Sequence, residues 1–230
     1  MNFWVVIPAA GTGSRMGQTL PKQYIDLGGR PILQRSIEIF FQRPEITGVV
    51  VAIADEDSHW QTIMFNEELP ITAVTGGNDR CHSVYNALKY LDIVAEEEDW
   101  VLVHDAARPC LSLVDLSKLI ESLVEDTVGG LLAYREIDTL KLADDEGLIQ
   151  KTLDRTHIWH AMTPQMFRYG ALKAALAAAI EADNLVTDEA GAMELAGFHP
   201  RLIEGQRSNI KITNSYDLLL AAQYLGFPCE

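Results

Sequence analysis

The chain predicts an α/β fold: a Rossmann-like, mainly parallel sheet with helices on both faces and a protruding β-arm. Three observations lead there. Short apolar runs at 3–7, 48–54, 71–74, 100–103 and 129–133 alternate with helical stripes, and a βαβα rhythm of this kind builds a mainly parallel sheet covered on both sides. Glycine-rich or charged loops follow three of these runs, where such sheets hold their ligands. Between 134 and 164 the rhythm breaks and no helical stripe holds, which reads as an extended hairpin or arm.

Each element has its own signal. Phe3-Trp4-Val5-Val6-Ile7 is β-branched and aromatic, the pattern of a buried strand. Over 31–41, Ile32, Leu33, Ile37 and Phe40 recur at helical spacing, with Pro44 as a stop. The strand over 71–74 ends in Gly76-Gly77, and a helix over 83–91 turns Val84, Leu88 and Leu91 inward. A helix over 113–124 links the strands at 100–103 and 129–133. In the arm, Ile137, Leu140, Leu142 and Ile149 fall among charges, and Asp144-Asp145-Glu146-Gly147 reads as its turn. Alanine-rich 171–182 is a strong helix former. A helix over 187–195 is capped by Thr187 or Asp188 and closed by Gly197. A strand over 198–203 and a helix over 216–225 complete the series. One domain spanning 1–230 accommodates these elements, with the arm at about 135–158.

Composition narrows the function. Of 230 residues 48% are hydrophobic, enough for a full core. No apolar stretch nears the roughly 20 residues of a membrane span, and the N-terminus lacks a basic n-region, so a cytoplasmic protein with no membrane partner is expected. Cys81, Cys110 and Cys229 have no metal-like spacing and suit a reducing compartment. A net charge of −15 argues against nucleic acid, whose readers carry a basic face. A small phosphorylated substrate needs only a local cluster of Arg and Lys, with a divalent cation offsetting the global repulsion. The run Glu96-Glu97-Glu98-Asp99 reads as a solvated loop.

The first strand runs into Pro8-Ala9-Ala10-Gly11-Thr12-Gly13-Ser14-Arg15-Met16-Gly17, and Lys22 follows. Glycines let the backbone approach a ligand closely, with N–H groups facing anionic oxygens. Arg15 and Lys22 supply the charge that phosphates need, so the segment reads as a nucleotide-phosphate loop. It is neither familiar glycine loop: Gly17 comes one residue late for G-x-G-x-x-G, and Gln18 stands where the Walker pattern wants Lys.

His104-Asp105-Ala106-Ala107-Arg108-Pro109 occupies the same topological position after the strand at 100–103. A carboxylate there is placed to hold Mg²⁺, which takes one or two carboxylates plus phosphates and water; Asp105 is that candidate. Arg108 either pairs with Asp105 or reaches a phosphate, and His104 reads as a packed or hydrogen-bonded side chain. Gly76-Gly77-Asn78-Asp79-Arg80 with Ser83 reads as a helix-entry turn that also suits close approach to a flat base. Thr187-Asp188-Glu189 reads first as a capping cluster. Lys211, the lone cation of Asn209-Ile210-Lys211-Ile212-Thr213, is expected to reach an anion. His157 and His160 lack a third ligand, and no nucleophile elbow or Cys–His pair is in view.

Nine segments in register resemble the nucleotidyltransferases that activate sugar or polyol phosphates, most closely the cytidylyltransferases acting on 2-C-methyl-D-erythritol 4-phosphate. They are P-A-A-G-x-G-x-R-M from Pro8, P-K-Q-Y from Pro21, G-G-x-x-R-x-x-S from Gly76 and V-H-D-A-A-R-P from Val103. Asp138-Thr139, Asp154-Arg155, W-H-A-x-T-P-Q from Trp159, T-D-E-A from Thr187 and N-I-K-x-T from Asn209 complete them. The resemblance implies Mg²⁺-dependent transfer from CTP, with Arg15 and Lys22 stabilising charge on the α-phosphate. It places Pro8, Ala9, Ala10, Gly11, Thr12, Gly13, Gly77, Asn78 and Ser83 on the nucleotide, and Asp105 with Ala106 on Mg²⁺ and ribose. Arg108, Thr139, Arg155, Thr163, Thr187 and Lys211 would surround the polyol phosphate. Asn78 departs from the pattern, since relatives carry Asp after the glycine pair. Ribitol 5-phosphate is the rival acceptor, and a nucleotide-binding regulatory protein without turnover is the rival class. The arm, left exposed, would be an aggregation-prone edge; pairing with its counterpart in a homodimer removes that edge.

Overall fold

A computed structural model describes residues 1–11, 20–65 and 70–227. Its strands are β1 (Phe3–Pro8), β2 (Ile46–Ile53), β3 (Ile71–Thr75), β4 (Trp100–Val103), β5 (Gly129–Arg135), β6 (Lys141–Ala143), β7 (Ile149–Thr152), β8 (Trp159–Arg168) and β9 (Arg201–Glu204). Its helices are α1 (Ile32–Glu38), α2 (Arg80–Leu91), α3 (Leu113–Leu123), α4 (Tyr169–Glu181), α5 (Glu189–Leu195) and α6 (Ser215–Tyr224). Seven strands form one sheet in the order β3-β2-β1-β4-β8-β5-β9. All pairings in it are parallel except those of β8, which runs antiparallel to both β4 and β5. The α/β, mainly parallel expectation holds.

The apolar runs are continuous because the central strands are covered on both faces. Successive side chains point to opposite sides, so Val5 and Ile7 of β1 pack with Leu33 and Ile37 of α1 and Leu116 and Leu119 of α3. Val6, between them, packs with Val84 and Leu88 of α2 and Leu172 and Leu176 of α4. Trp100 and Leu102 join the first layer, Val101 and Val103 the second. Each such side chain, once fully buried, stabilises the fold by about 1.5–3 kcal/mol. A smaller core of Ile25, Leu27, Ile32, Cys110, Ile212 and Ala221 docks α6 beside the loop that follows the glycine segment. Gly28 closes it at φ 63°, where a Cβ would also stand 2.6 Å from the Phe227 ring.

Several boundaries shift. The helix expected over 31–41 is α1 followed by a 3₁₀ turn, Ile39–Gln42. α2 begins at Arg80 rather than at residue 83. Of the two candidate caps for α5, Asp188 is the one used, accepting from Gly191 N at 2.9 Å.

Two expectations are corrected. Residues 159–164 lie past the arm placed at about 135–158 but within the extended segment expected up to 164; they belong to β8 at the centre of the sheet. Pro164 argues against a central strand because it cannot donate to a ladder. The fold places it where pairing with β5 slips, from Leu131↔Gln165 to Ala133↔Ala161, so the missing donor falls in an irregularity. What remains outside the sheet is the β6–β7 hairpin, turned at Gly147 (φ 81°) with Asp144 Oδ1 accepting from Glu146 N and Leu148 N. Asp99 is no part of a solvated run. It is buried and accepts from Asn2 N at 2.6 Å, Trp4 Nε1 at 3.3 Å and Glu96 N at 3.1 Å, tying the chain start to β4.

Candidate active site

In chain order the sheet grows outward from β1 through β2 to β3, then returns to add β4 on the other side of β1. The crevice at the carboxyl ends of β1 and β4 is such a reversal, where open α/β sheets bind ligands. A cleft of about 360 Å³ opens there. Pro8, Ala9, Ala10 and Gly11 form one wall, with Gly77, Asn78 and Ser83 at the end of β3. Asp105 and Ala106 form its floor, and Lys22, Arg80 and Lys211 bring positive charge to it. A Cβ on Gly11 would meet nothing within 4 Å among the described residues. One on Gly76 would stand 2.5 Å from the Ala10 Cβ, so that glycine lets the two loops touch.

The P-K-Q-Y segment works residue by residue. Pro21 leads into a 3₁₀ turn, Lys22–Tyr24, which points alternate side chains to different tasks. Gln23, buried, donates from Nε2 to Ala9 O at 2.8 Å and Gly11 O at 3.0 Å, holding the loop after β1 open. Tyr24 donates to Asp57 at 2.7 Å, and burial together with that carboxylate pushes its hydroxyl well above its ordinary range. Lys22 faces the cleft and donates to Ile212 O at 3.1 Å.

The loop after β4 is rigid because four successive carbonyls each have a donor. Asp105 O accepts from Arg108 N, Ala106 O from Ser36 Oγ at 3.0 Å, and Ala107 O from Ile212 N at 2.8 Å. Arg108 O accepts from His104 Nε2 at 3.0 Å, which fixes the tautomer, since a carbonyl cannot donate. His104 Nδ1 is therefore an acceptor and takes the Thr163 hydroxyl proton at 2.9 Å, while Thr163 Oγ1 accepts from Asp105 N at 3.0 Å. Complete burial keeps this imidazole neutral and pushes its pKa down to about 4. His104 is a packed, hydrogen-bonded side chain, as its position after the strand suggested.

Asp105 is the electrostatic centre. Its Oδ1 lies 3.1 Å from Arg80 Nε, and its Oδ2 lies 3.0 Å from Lys211 Nζ and 3.3 Å from Arg108 Nε. Burial alone would raise this carboxyl, but Arg80, Lys211 and Arg108 outweigh it and hold the group far below the usual range. Lys211 thus reaches an anion, and of the two roles open to Arg108 the carboxylate pairing is present. Arg80 also forms a fork with Glu189, at 2.6 and 3.0 Å, across from α2 to the first turn of α5. Burial works against the guanidinium charge, yet Glu189 and Asp105 raise its affinity for the proton further still.

Among the remaining sequence candidates, Arg15, Thr12 and Gly13 lie outside the described residues. Ser83 reaches the cleft, with its hydroxyl accepting from Gly77 N at 3.0 Å and donating to Asp79 O at 3.1 Å. Thr163 is buried behind the floor and positions Asp105. Thr139 and Arg155 sit exposed at the arm, where Arg155 donates to Ile137 O, and Thr187 is exposed before α5. None of these four lines the cleft. Sequence reading missed Arg80 and Glu189, Gln23, and Asn209, whose Nδ2 donates to Thr163 O at 2.7 Å. All four stand inside the quoted motifs, but nothing local to those motifs says which partner each side chain meets.

No cluster of three metal-ligating side chains exists among the described residues. Asp105 offers one hard, ionised carboxylate at the cleft floor, whose oxygens also face Arg80, Lys211 and Arg108. That fits Mg²⁺ arriving with phosphates that complete its shell, and not a protein-caged ion.

Residues 3–226 match the family model of 2-C-methyl-D-erythritol 4-phosphate cytidylyltransferase (IspD). The chain belongs to this family. The enzyme of that name from Pseudomonas aeruginosa PAO1 is 50% identical over 218 residues, covering 94% of this chain and 93% of that one. The one from Pseudomonas fluorescens Pf0-1 is 52% identical over 217 residues, covering 94% and 92%. The crystal structure of the Francisella tularensis family member superposes with a TM-score of 0.85 at 37% identity, covering 97% of this chain and all of that one. The structure of the Thermus thermophilus family member follows with a TM-score of 0.78 at 27% identity, covering 97% and 98%. The family and its fold agree with the resemblance read from the nine sequence segments.

Proposed function

We infer that the protein transfers a cytidylyl group from CTP to 2-C-methyl-D-erythritol 4-phosphate, giving 4-diphosphocytidyl-2-C-methyl-D-erythritol and pyrophosphate in the non-mevalonate isoprenoid pathway. The observation that carries this reading is a cationic cleft around one carboxylate in a chain of this family. An acceptor phosphate oxygen attacks the α-phosphorus of CTP, a new P–O bond forms, and the bond to pyrophosphate breaks with its electron pair leaving on pyrophosphate. The acceptor is already an anion at neutral pH, so no general base is needed. Catalysis rests on in-line placement and on neutralising charge as it develops. Lys22, with Arg15, serves the α-phosphate, and the loop from Pro8 to Gly13 with Gly77, Asn78 and Ser83 cradles the nucleotide. Asp105 would hold Mg²⁺, which supplies charge neutralisation on the phosphates when bound.

The acceptor site is completed across a homodimer. Thr139 and Arg155 lie on an exposed hairpin away from their own cleft, which suits delivery to a partner's acceptor phosphate beside Arg108, Thr163, Thr187 and Lys211. The protein works in the cytoplasm and binds neither nucleic acid nor membrane; no helix among the described residues is long and apolar enough to cross a bilayer. The decisive experiment is a product assay across the four nucleoside triphosphates with methylerythritol phosphate and ribitol 5-phosphate. Turnover with CTP and the methylerythritol acceptor is expected. Preference for ribitol 5-phosphate would move the acceptor assignment, and no pyrophosphate release with any pair would leave a binding protein.

A further inference from the structure

Segment 209–214 contacts Arg108 and Lys22 and itself carries Lys211. Asn209 O accepts from Arg108 Nη1 at 2.6 Å, Lys211 pairs with Asp105, and Ile212 O accepts from Lys22 Nζ at 3.1 Å. The segment is not part of a strand or helix, so its shape must be held from outside. Its start is pinned by Asn209 Nδ2 to Thr163 O, and its middle by Ile212 N to Ala107 O. Ile212 packs with Ala221 of α6, and the polar hold on the end of the segment comes from Asp217, whose Oδ2 accepts from Thr213 N at 2.7 Å, Thr213 Oγ1 at 2.6 Å and Asn214 N at 3.0 Å. Asn214 returns the contact, with Oδ1 accepting from Tyr216 N and Asp217 N, so the two form a capping box. Burial would raise the Asp217 carboxyl, but these donors and the nearby Lys22 charge hold it below its ordinary value.

We propose that Asp217 is a positioning residue for the transfer step: it fixes the Thr213 end of the segment and thereby the Ile212 carbonyl against which Lys22 is held. A flexible lysine has many rotamers, and a carbonyl anchor beside the cleft removes that freedom before the phosphates arrive. Preorganisation of this kind counts in the rate, since small misplacements of a reacting group cost up to about 100-fold. The box thus joins the docking of α6, far from the reacting atoms in sequence, to the chemistry. This inference rests on Lys22 acting on developing charge.

The test is a kinetic cycle of Lys22→Ala, Asp217→Ala and the double variant, read as kcat and the KM for CTP, with melting temperatures alongside. Asp217→Ala is expected to lower kcat about 10-fold with little change in KM, and the double variant should be no slower than Lys22→Ala, because Asp217 works through Lys22. Asp217→Asn keeps an accepting oxygen and should retain most of kcat. Ser112→Ala removes the cap of α3, where Ser112 Oγ accepts from Asp115 N at 3.1 Å, and serves as the control for lost helix capping; its kcat should stay at wild type. Wild-type kcat in Asp217→Ala, additive losses in the double variant, or an equal loss in Ser112→Ala would each overturn the proposal while leaving Lys22 in its role. An unchanged kcat in Lys22→Ala would instead remove the reading of Lys22 itself, and the proposal with it.

Discussion

Replacing Asp105 by Asn takes one charge from a floor where Arg80, Arg108 and Lys211 converge on it. The shape is kept, and Arg80 and Arg108 retain Glu189 and Asn209 O as partners, so the fold should survive. An amide oxygen is a poorer ligand for a hard cation, so the Mg²⁺ concentration for half-maximal activity should rise several-fold. A superimposable Mg²⁺ titration would remove Asp105 from the metal. Lys22→Ala acts on a different quantity: kcat should fall by roughly 10²–10³, with CTP binding, measured by calorimetry, much less affected. His104 sets a pH dependence of stability. Its folded pKa, about 4, lies below its ordinary 6.5, so the unfolded chain binds the extra proton between those values and stability rises with pH through that window. The span corresponds to roughly 3 kcal/mol, fully present above about pH 6.5 and lost toward pH 4. Urea midpoints at about pH 7 and about pH 5 should differ more in the wild type than in His104→Gln; equal differences would assign the loss to other groups.

Two helices whose first residues lie 109 apart in sequence meet through one ion pair. Arg80 begins α2 and Glu189 begins α5, and their fork holds the loop after β3 against the segment carrying Thr187. The Glu189 side chain is 1% exposed and that of Arg80 24%, so the pair is screened little by water. Glu189→Gln keeps the volume but leaves a guanidinium short of its counter-charge. Breaking a buried pair from one side costs roughly 3 kcal/mol, which urea unfolding would register. The double variant Arg80→Met/Glu189→Leu should recover part of that loss, because a matched apolar pair has no charge to desolvate. A Glu189→Gln protein as stable as wild type would show that the fork holds geometry without adding stability.

At the scale of the whole molecule, the β6–β7 hairpin stands out as uncovered surface. Ile137, Leu142, Leu148 and Ile149 are all exposed there, and Thr139 and Arg155 stand beside them away from their own cleft. If a homodimer delivers Arg155 to the partner's acceptor phosphate, Arg155→Ala and Lys22→Ala subunits should each be poorly active alone. Dissociated, mixed and reassembled, they should regain activity, because each heterodimer contains one site lacking both groups and one intact site. Recovery would be partial, since homodimers persist. Heterodimers that form and remain inactive would place Arg155 in its own subunit's site.

The local patterns in the chain were enough for the α/β class, for nearly every strand and helix, and for the two loops that meet at the cleft. Burial writes itself into sequence with a period of two or of 3.6, and β4 is legible to the residue because both its faces are covered. The same patterns misled where local and global demands differ. Pro164 speaks against a central strand, and only the slipped pairing of β8 on β5 gives it a place. Asp99 ends an acidic run, and only its meeting with Asn2 and Trp4 buries it. The candidate site divides the same way. Asp105, Lys22 and Lys211 were legible as charges at strand ends and in an apolar run. The pairing of Arg108 with Asp105, three residues away, was one of two readings; the distant partners were not legible, because Arg80 meets Glu189 across 109 residues and Lys22 meets Ile212 across 190. A contact between such distant segments leaves no period in the chain; it exists only once the sheet has brought β1, β3 and β4 to one edge and α6 has closed over segment 209–214.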